Sequence, residues 1–136
     1  MREIRLIIVH CSAVKPSQTS SLRQIDEWHR AQGFHSCGYH YIVRRDGTVE
    51  KGRDETVVGS HCQGFNAQSI GICYEGGLDE NGTPKDTRTP QQKTTLLTLI
   101  KELKTRYPHA QVKGHHDFNP HKACPCFPAA TEYGKL

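Results

Sequence analysis

A short segment near the C-terminus constrains this chain more than any other part of its sequence. Residues 114–126 read Gly-His-His-Asp-Phe-Asn-Pro-His-Lys-Ala-Cys-Pro-Cys, which places three histidines and two cysteines close together. Pro120 and Pro125 exclude a continuous helix, so these side chains must lie on a strand end and a loop. Imidazole and thiolate are ligands that zinc prefers, and the segment therefore indicates a metal site. The alternative is a solvated loop rich in His and Cys, because the spacing matches no standard structural zinc motif.

Length and composition set the general class of the protein. A chain of 136 residues fits one domain, which we expect to span residues 1–136. The net charge of +4 favours anionic polymers, including cell-wall glycans and nucleic acids, without choosing among them. No apolar run is long enough to span a membrane. The N-terminal residues show no features of a signal peptide, so we expect synthesis in the cytoplasm.

Cysteine content bears on the redox compartment. The six cysteines could form three disulfides in any of 15 pairings. Because no secretion signal is visible, we predict reduced thiols instead.

The first apolar run ends in two residues of the type that binds metals. Residues 4–9 are almost entirely aliphatic, which is typical of a buried central strand, and His10 and Cys11 follow directly. Side chains alternate across a strand, so these two residues should face opposite sides of the sheet. We predict that His10 is a ligand and that Cys11 packs as a small apolar residue. The alternative is that His10 is an ordinary histidine at a strand end.

The remaining pattern predicts an α/β fold. Ser21 and Gln24 form a capping box before a helix in which we expect Trp28 to lie in the core. A second helix begins at Thr89-Pro90, and its apolar face carries residues 96, 99, 100 and 103. Further strands are predicted at residues 38–43, 69–74 and near residue 112, with a hairpin turn at residues 46–47. Gly71 lies inside one of these strands, where it indicates the close approach of another backbone.

These elements bring metal-binding residue types together from distant positions. His10, either His115 or His116, and either Cys124 or Cys126 supply two nitrogen donors and one sulfur donor. Three protein ligands leave a position of zinc free, as in catalytic sites. Tyr39 and Lys122 can supply hydrogen bonds to an oxyanion. The set therefore predicts metal-assisted hydrolysis of an amide.

Several ordered motifs carry a resemblance to a known family. They are Val-His-Cys-Ser-Ala (9–13), Gly-Tyr-His-Tyr-Ile-Val (38–43), Val-Gly-Ser-His (58–61), Asn-x-x-Ser-Ile-Gly-Ile-Cys (66–73) and Lys-Ala-Cys-Pro (122–125). From about residue 4 to about residue 130, the sequence resembles the zinc-dependent N-acetylmuramoyl-L-alanine amidases of type 2. That family includes a phage lysozyme that acts as an amidase and the peptidoglycan recognition proteins of animals.

The resemblance implies a fold, a reaction and a set of site residues. The implied fold is a single α/β domain with a central mixed β-sheet flanked by helices. The implied zinc ligands are His10, His115 and Cys124, and the residues implied to assist catalysis are Tyr39 and Lys122. The implied substrate is peptidoglycan, cut between the lactyl group of N-acetylmuramic acid and L-alanine. The spacing from His115 to Cys124 is one residue longer than in the phage pattern, which leaves His121 without a role and Cys126 as an extra thiol.

Two other functions compete with this hypothesis. A peptidoglycan-binding module without turnover would share the fold, but such recognition proteins typically lack the cysteine ligand. A nucleic-acid-binding domain with structural zinc would need Cys-x-x-Cys knuckles, which are absent from the sequence. We therefore expect a bacteriolytic, endolysin-like enzyme with one zinc ion per chain, without a nucleic-acid partner, acting as a monomer. By analogy with phage lysins, it would reach the wall through a membrane hole made by another protein.

Overall fold

The computed structural model describes residues 2–136 and is built around one mixed sheet. Its strands are β1 (Leu6–Cys11), β2 (Tyr41–Val43), β3 (Val49–Lys51), β4 (Ser69–Tyr74) and β5 (Gln111–Gly114), in the spatial order β3-β2-β4-β1-β5. The β2, β4, β1 and β5 strands are parallel, and β3 pairs antiparallel with β2 through the predicted hairpin. The helices are α1 (Leu22–Ala31), α2 (Pro90–Arg106) and α3 (Ala129–Tyr133). The predicted α/β architecture is confirmed.

Both long helices begin where their capping residues predict. The Ser21 side chain accepts a hydrogen bond from the Gln24 backbone N–H, and the Gln24 side chain accepts one from the Ser21 N–H. Thr89 and Gln92 repeat this arrangement at the start of α2, with Pro90 at the first helical position. Each pair satisfies backbone donors that would otherwise lack a partner.

The larger core lies between the sheet and α2. Alternate residues of β1 and β4 point towards this helix and pack against its buried leucines and isoleucine. These residues are Ile7, Val9, Cys11, Ile70, Ile72, Tyr74, Leu96, Leu99, Ile100 and Leu103. The opposite set of side chains, including His10, therefore lies on the α1 face of the sheet. Cys11 packs in the core as predicted.

The α1 face has a much smaller apolar cluster, and one prediction about it is wrong. Ile25 is the one buried residue of α1, and it packs with Cys37, Ile42 and Cys73. Trp28 is 42% exposed, although the helical spacing placed it in the core. The inward position of this last turn is taken by His29, whose Nδ1 accepts a hydrogen bond from the Gly38 N–H at 2.8 Å.

The second strand is shorter than predicted. Residues 38–43 were expected to be extended throughout, but β2 covers only Tyr41–Val43. Tyr39 therefore lies in the connection before β2, where its carbonyl accepts a hydrogen bond from the Arg53 N–H. Within residues 2–136, no helix combines the length and the apolar composition needed to cross a bilayer.

A buried arginine anchors the C-terminal segment to the body of the fold. The Arg88 guanidinium donates hydrogen bonds to both the Asp86 and the Glu132 carboxylates, and it lies 3.4 Å from the centroid of the Phe127 ring. Its side chain is only 3% exposed. Because Phe127 closely follows the cysteine-rich loop, this cluster fixes the end of that loop.

Replacing this arginine tests the anchor. In Arg88→Met we expect the free energy of unfolding to fall by about 2 kcal/mol. This is less than the 3–5 kcal/mol typical of a broken buried pair, because both partner carboxylates remain partly solvated. Urea unfolding followed by circular dichroism measures the change. Arg30→Met, which breaks an exposed pair with Asp26, is the control and should change stability by less than about 1 kcal/mol.

The same cluster predicts a pH dependence of stability. Hydrogen bonds from Arg88 lower the pKa of Glu132, and they outweigh burial to lower the pKa of Asp86. A lowered pKa in the folded state stabilises the fold above the unfolded pKa of about 4, and this stabilisation is lost as pH falls through the folded pKa. The acid-induced loss of stability should therefore be smaller in Arg88→Met than in the unmodified protein. Equal losses in the two proteins would contradict this account.

Candidate metal centre

Strand register brings two histidines to one edge of the sheet. The β1 and β5 strands are parallel neighbours, and Val9 is the partner of Gly114. The next residues, His10 and His115, consequently meet where both strands end. Their Nδ1 atoms are 3.2 Å apart. His10 is buried and His115 is half-buried, so the pair is open on one side.

The cysteine-rich loop folds back against this edge. The Cys11 N–H donates a hydrogen bond to the Cys124 Sγ at 3.1 Å, and the His116 N–H donates one to the Cys124 carbonyl at 2.9 Å. A Cβ atom on Gly114 would lie 2.8 Å from the Pro125 ring, so only glycine lets the loop approach so closely. These contacts place the Cys124 sulfur beside the two histidines.

Together the three residues form a group that could hold a metal ion. The ligand atoms of His10, His115 and Cys124 all lie within 4.8 Å of one another, and no other such group occurs in residues 2–136. Zinc bonds of about 2.0–2.3 Å in a tetrahedral arrangement bring ligand atoms to about 3.3–3.8 Å of each other. The donor types fit zinc, and the 3.2 Å between the Nδ1 atoms of His10 and His115 is close to this spacing.

The two alternative ligands lie elsewhere. His116 Nδ1 faces the Ala123 carbonyl at 3.3 Å. The Cys126 thiol donates to the Gly77 carbonyl at 3.3 Å, and its sulfur lies 3.9 Å from the Cys11 sulfur. Neither residue belongs to the three-residue group.

The electrostatic environment favours neutral imidazoles. Burial lowers the pKa of His10 well below its usual value, and neighbouring histidines lower it further. Burial also lowers the pKa of His115, with a smaller effect from the positive charge of Lys122. Neutral imidazole is the form that binds metals.

His115 of the metal-binding group lines a cavity of about 710 Å³, and Cys124 lines a neighbouring cavity that His115 also borders. Tyr39 and Lys122 both line the first cavity, together with His29, Phe34, His61 and His115. The Tyr39 ring centroid is 5.1 Å from that of His10. Burial raises the pKa of Tyr39, which keeps its hydroxyl protonated and able to donate. Lys122 is exposed, as expected for a group that meets a ligand from solvent.

One site residue was missed at the level of sequence. His61 is the neighbour of His10 on the α1 face of the sheet, and its Nδ1 lies 2.8 Å from His10 Nε2. Gly71 does approach another group closely, but that group is the His61 ring and not a backbone: a Cβ on Gly71 would lie 2.6 Å from the ring. The sequence offered two signals for this contact: Gly71 inside a strand, and His61 at the end of the Val-Gly-Ser-His motif.

Comparison with known proteins identifies the family. The N-acetylmuramoyl-L-alanine amidase family profile matches residues 1–127. The endolysin of Klebsiella phage KP32 is 48% identical over 126 residues, which cover 93% of this chain and 83% of the endolysin. The chain belongs to the N-acetylmuramoyl-L-alanine amidase family. It is therefore a peptidoglycan amidase, and the predicted enzyme class is confirmed.

Solved structures agree with this assignment. The amidase LysC from Clostridium intestinale URNW superposes with a TM-score of 0.81 at 32% identity, covering 96% of this chain and 82% of LysC. A mutant of Drosophila PGRP-LB in complex with tracheal cytotoxin gives a TM-score of 0.80 at 21% identity, covering 100% of this chain and 83% of that one. At this lower identity the second comparison supports the fold alone.

The state of the cysteines is a separate prediction for this amidase. The Cys11 and Cys126 sulfurs are 3.9 Å apart, about twice the length of a disulfide bond, and all six cysteines are free. Burial raises the pKa of Cys37, Cys62 and Cys73, which makes these thiols unreactive. We expect six alkylated thiols per chain when protein is unfolded without reductant after zinc removal. Intact-mass measurement counts them, and fewer than six would contradict the prediction.

Proposed function

We propose that this amidase uses one zinc ion held by His10, His115 and Cys124. The observation that carries the proposal is the convergence of two nitrogen donors and one sulfur donor within 4.8 Å, beside the cavity that His115 lines. A zinc ion with three protein ligands supplies a Lewis acid that polarises a carbonyl and makes water more acidic. The bond cut is the amide between the lactyl group of N-acetylmuramic acid and L-alanine.

The cavity residues supply binding and charge stabilisation. The scissile amide would lie between the metal-binding group and the two donors, Tyr39 and Lys122. As water adds to the carbonyl carbon, negative charge develops on the carbonyl oxygen. The Tyr39 hydroxyl and the Lys122 ammonium would donate to that oxygen, and the amine of L-alanine would leave with a proton. Donors aimed at developing charge stabilise the transition state more than the substrate.

The cell wall is the proposed place of action. Phage endolysins are similar to most of the chain, and peptidoglycan is the substrate of the family. We propose that the enzyme is made in the cytoplasm and reaches the wall through a membrane hole made by another protein. We also propose that it acts as a monomer, because one chain provides the complete three-residue group. Light scattering coupled to size-exclusion chromatography measures the oligomeric state, and a stable dimer would contradict the monomer.

The zinc proposal is tested by measuring metal and products on the same sample. Purified enzyme should contain one zinc per chain by elemental analysis. Digestion of peptidoglycan should release intact stem peptides with a free L-alanine amine, identified by mass spectrometry. Chelator-treated enzyme should be inactive and should recover on addition of zinc. Full activity without metal would contradict the proposed role of zinc and leave the family assignment intact.

A further inference from the structure

His61 occupies a position that the amidase reaction as described does not use. It is half-buried on the α1 face of the sheet, where the strand register places His10, and its Nδ1 is 2.8 Å from His10 Nε2. On its far side, His61 Nε2 is 3.2 Å from the Ser69 Oγ. Three side chains from three different segments thus form a continuous hydrogen-bonded row that ends at His10.

Two glycines and an asparagine side chain determine where the His61 ring lies. A Cβ on Gly71 would lie 2.6 Å from the ring, and a Cβ on Gly59 would lie 2.7 Å from it. The Asn66 side-chain oxygen accepts hydrogen bonds from the backbone N–H groups of His61 and Cys62, each at 2.9 Å. The ring is therefore packed closely against two glycines, and its backbone is held by the Asn66 side chain.

The row fixes which nitrogen of His10 carries the proton. Nδ1 of His10 faces Nδ1 of His115, so this atom must be unprotonated if it is to bind a metal. The proton then resides on His10 Nε2, which donates to His61 Nδ1. The same logic places the remaining His61 proton on Nε2, which donates to the Ser69 hydroxyl. Each contact in the row then has one donor and one acceptor.

We propose that His61 is a positioning residue that holds the His10 ring in its metal-binding tautomer and orientation. The inference rests on the proposed role of His10 as a ligand. Ligating histidines generally donate their second N–H to a carboxylate, a carbonyl or water, and loss of that partner typically weakens metal binding by 10- to 100-fold. A neutral imidazole fills this role here, and His61 reaches zinc only through His10.

A matched pair of variants separates the hydrogen bond from the packing. Asparagine and leucine have the same branched shape, but only asparagine places an oxygen near the former Nδ1, where it can accept from His10 Nε2–H. We expect His61→Leu to weaken zinc binding by about 10- to 100-fold and His61→Asn to restore most of the affinity. Zinc affinity is measured on the full chain by competition with a chromophoric chelator, with circular dichroism as the check on folding. Equal affinities in His61→Leu and the unmodified protein would overturn the inference.

A tautomer measurement decides the question without any variant. In protein labelled with ¹⁵N-histidine, long-range NMR correlations should show the proton on Nε2 of both His10 and His61 in the zinc-bound state. A proton on His61 Nδ1 would overturn the inference, because that nitrogen could no longer accept from His10. This measurement stands even if His61→Leu fails to fold.

The two levels of the proposal fail in different ways. If His10→Ala keeps full zinc affinity, then His10 is not a ligand and the proposed metal centre is wrong. If His10→Ala loses zinc while His61→Leu binds it normally, then the metal centre stands and only the positioning role is wrong.

Discussion

Replacing Cys124 by alanine is expected to remove zinc from the enzyme and to abolish turnover. The sulfur is one of three donors, and two histidines alone bind zinc far more weakly than a complete set. Loss of a ligand should exceed the effect of losing a partner of a ligand, so affinity should fall by more than about 100-fold. Elemental analysis after dialysis, together with release of stem peptides from cell walls, measures both outcomes.

The neighbouring thiol provides the matched control. Cys126 lies two residues further along the same loop, and its thiol points to the Gly77 carbonyl. Cys126→Ala should keep its zinc and its activity. If Cys124→Ala retained full zinc while Cys126→Ala lost it, the third ligand would be Cys126 and the assignment of Cys124 as a ligand would be wrong.

Much of the fold could be predicted because its signals are local. The capping boxes at Ser21 and Thr89 determine where the long helices begin, and the unbroken aliphatic run before His10 is typical of a central parallel strand. The predicted burial of Trp28 was wrong because helical periodicity shows which residues share a face of the helix. It does not show how much of that face packs against the rest of the protein. The apolar cluster on the α1 side is small, and Ile25 is the one residue of the helix that it buries.

The site was only partly visible in the sequence because its geometry is non-local. His10 and His115 were recognisable as strand-end residues, but the choice of His115 over His116 depends on β5 ending at Gly114. The choice of Cys124 over Cys126 depends on how the loop folds back onto Cys11. His61 lies 51 positions from His10 along the chain, and no local pattern links the two. Such pairs are visible only when the register of the strands is known.

Removing the donors Tyr39 and Lys122 should slow turnover without releasing zinc. Neither side chain belongs to the three-residue metal-binding group, although both line the cavity that His115 also lines. The tetrahedral intermediate carries a negative oxygen, and a donor aimed at that oxygen strengthens as charge develops. Removing one such donor typically reduces turnover by about 10²–10³. We therefore expect Tyr39→Phe and Lys122→Ala each to lower kcat by at least about tenfold, with KM nearly constant.

The division between kcat and KM decides what each residue does. A donor that acts in the transition state meets the ground-state carbonyl only weakly, so its loss should leave KM almost unchanged. Steady-state kinetics on a soluble muramyl peptide measure both constants, and elemental analysis confirms that zinc is retained. A variant that keeps kcat and raises KM would show that the residue only holds substrate. Lys122 is the sharper test of the two, because it is exposed on a loop one residue longer than the phage pattern, whereas Tyr39 is packed beside His10. If both variants lose kcat while KM stays constant, both side chains act in the transition state as proposed.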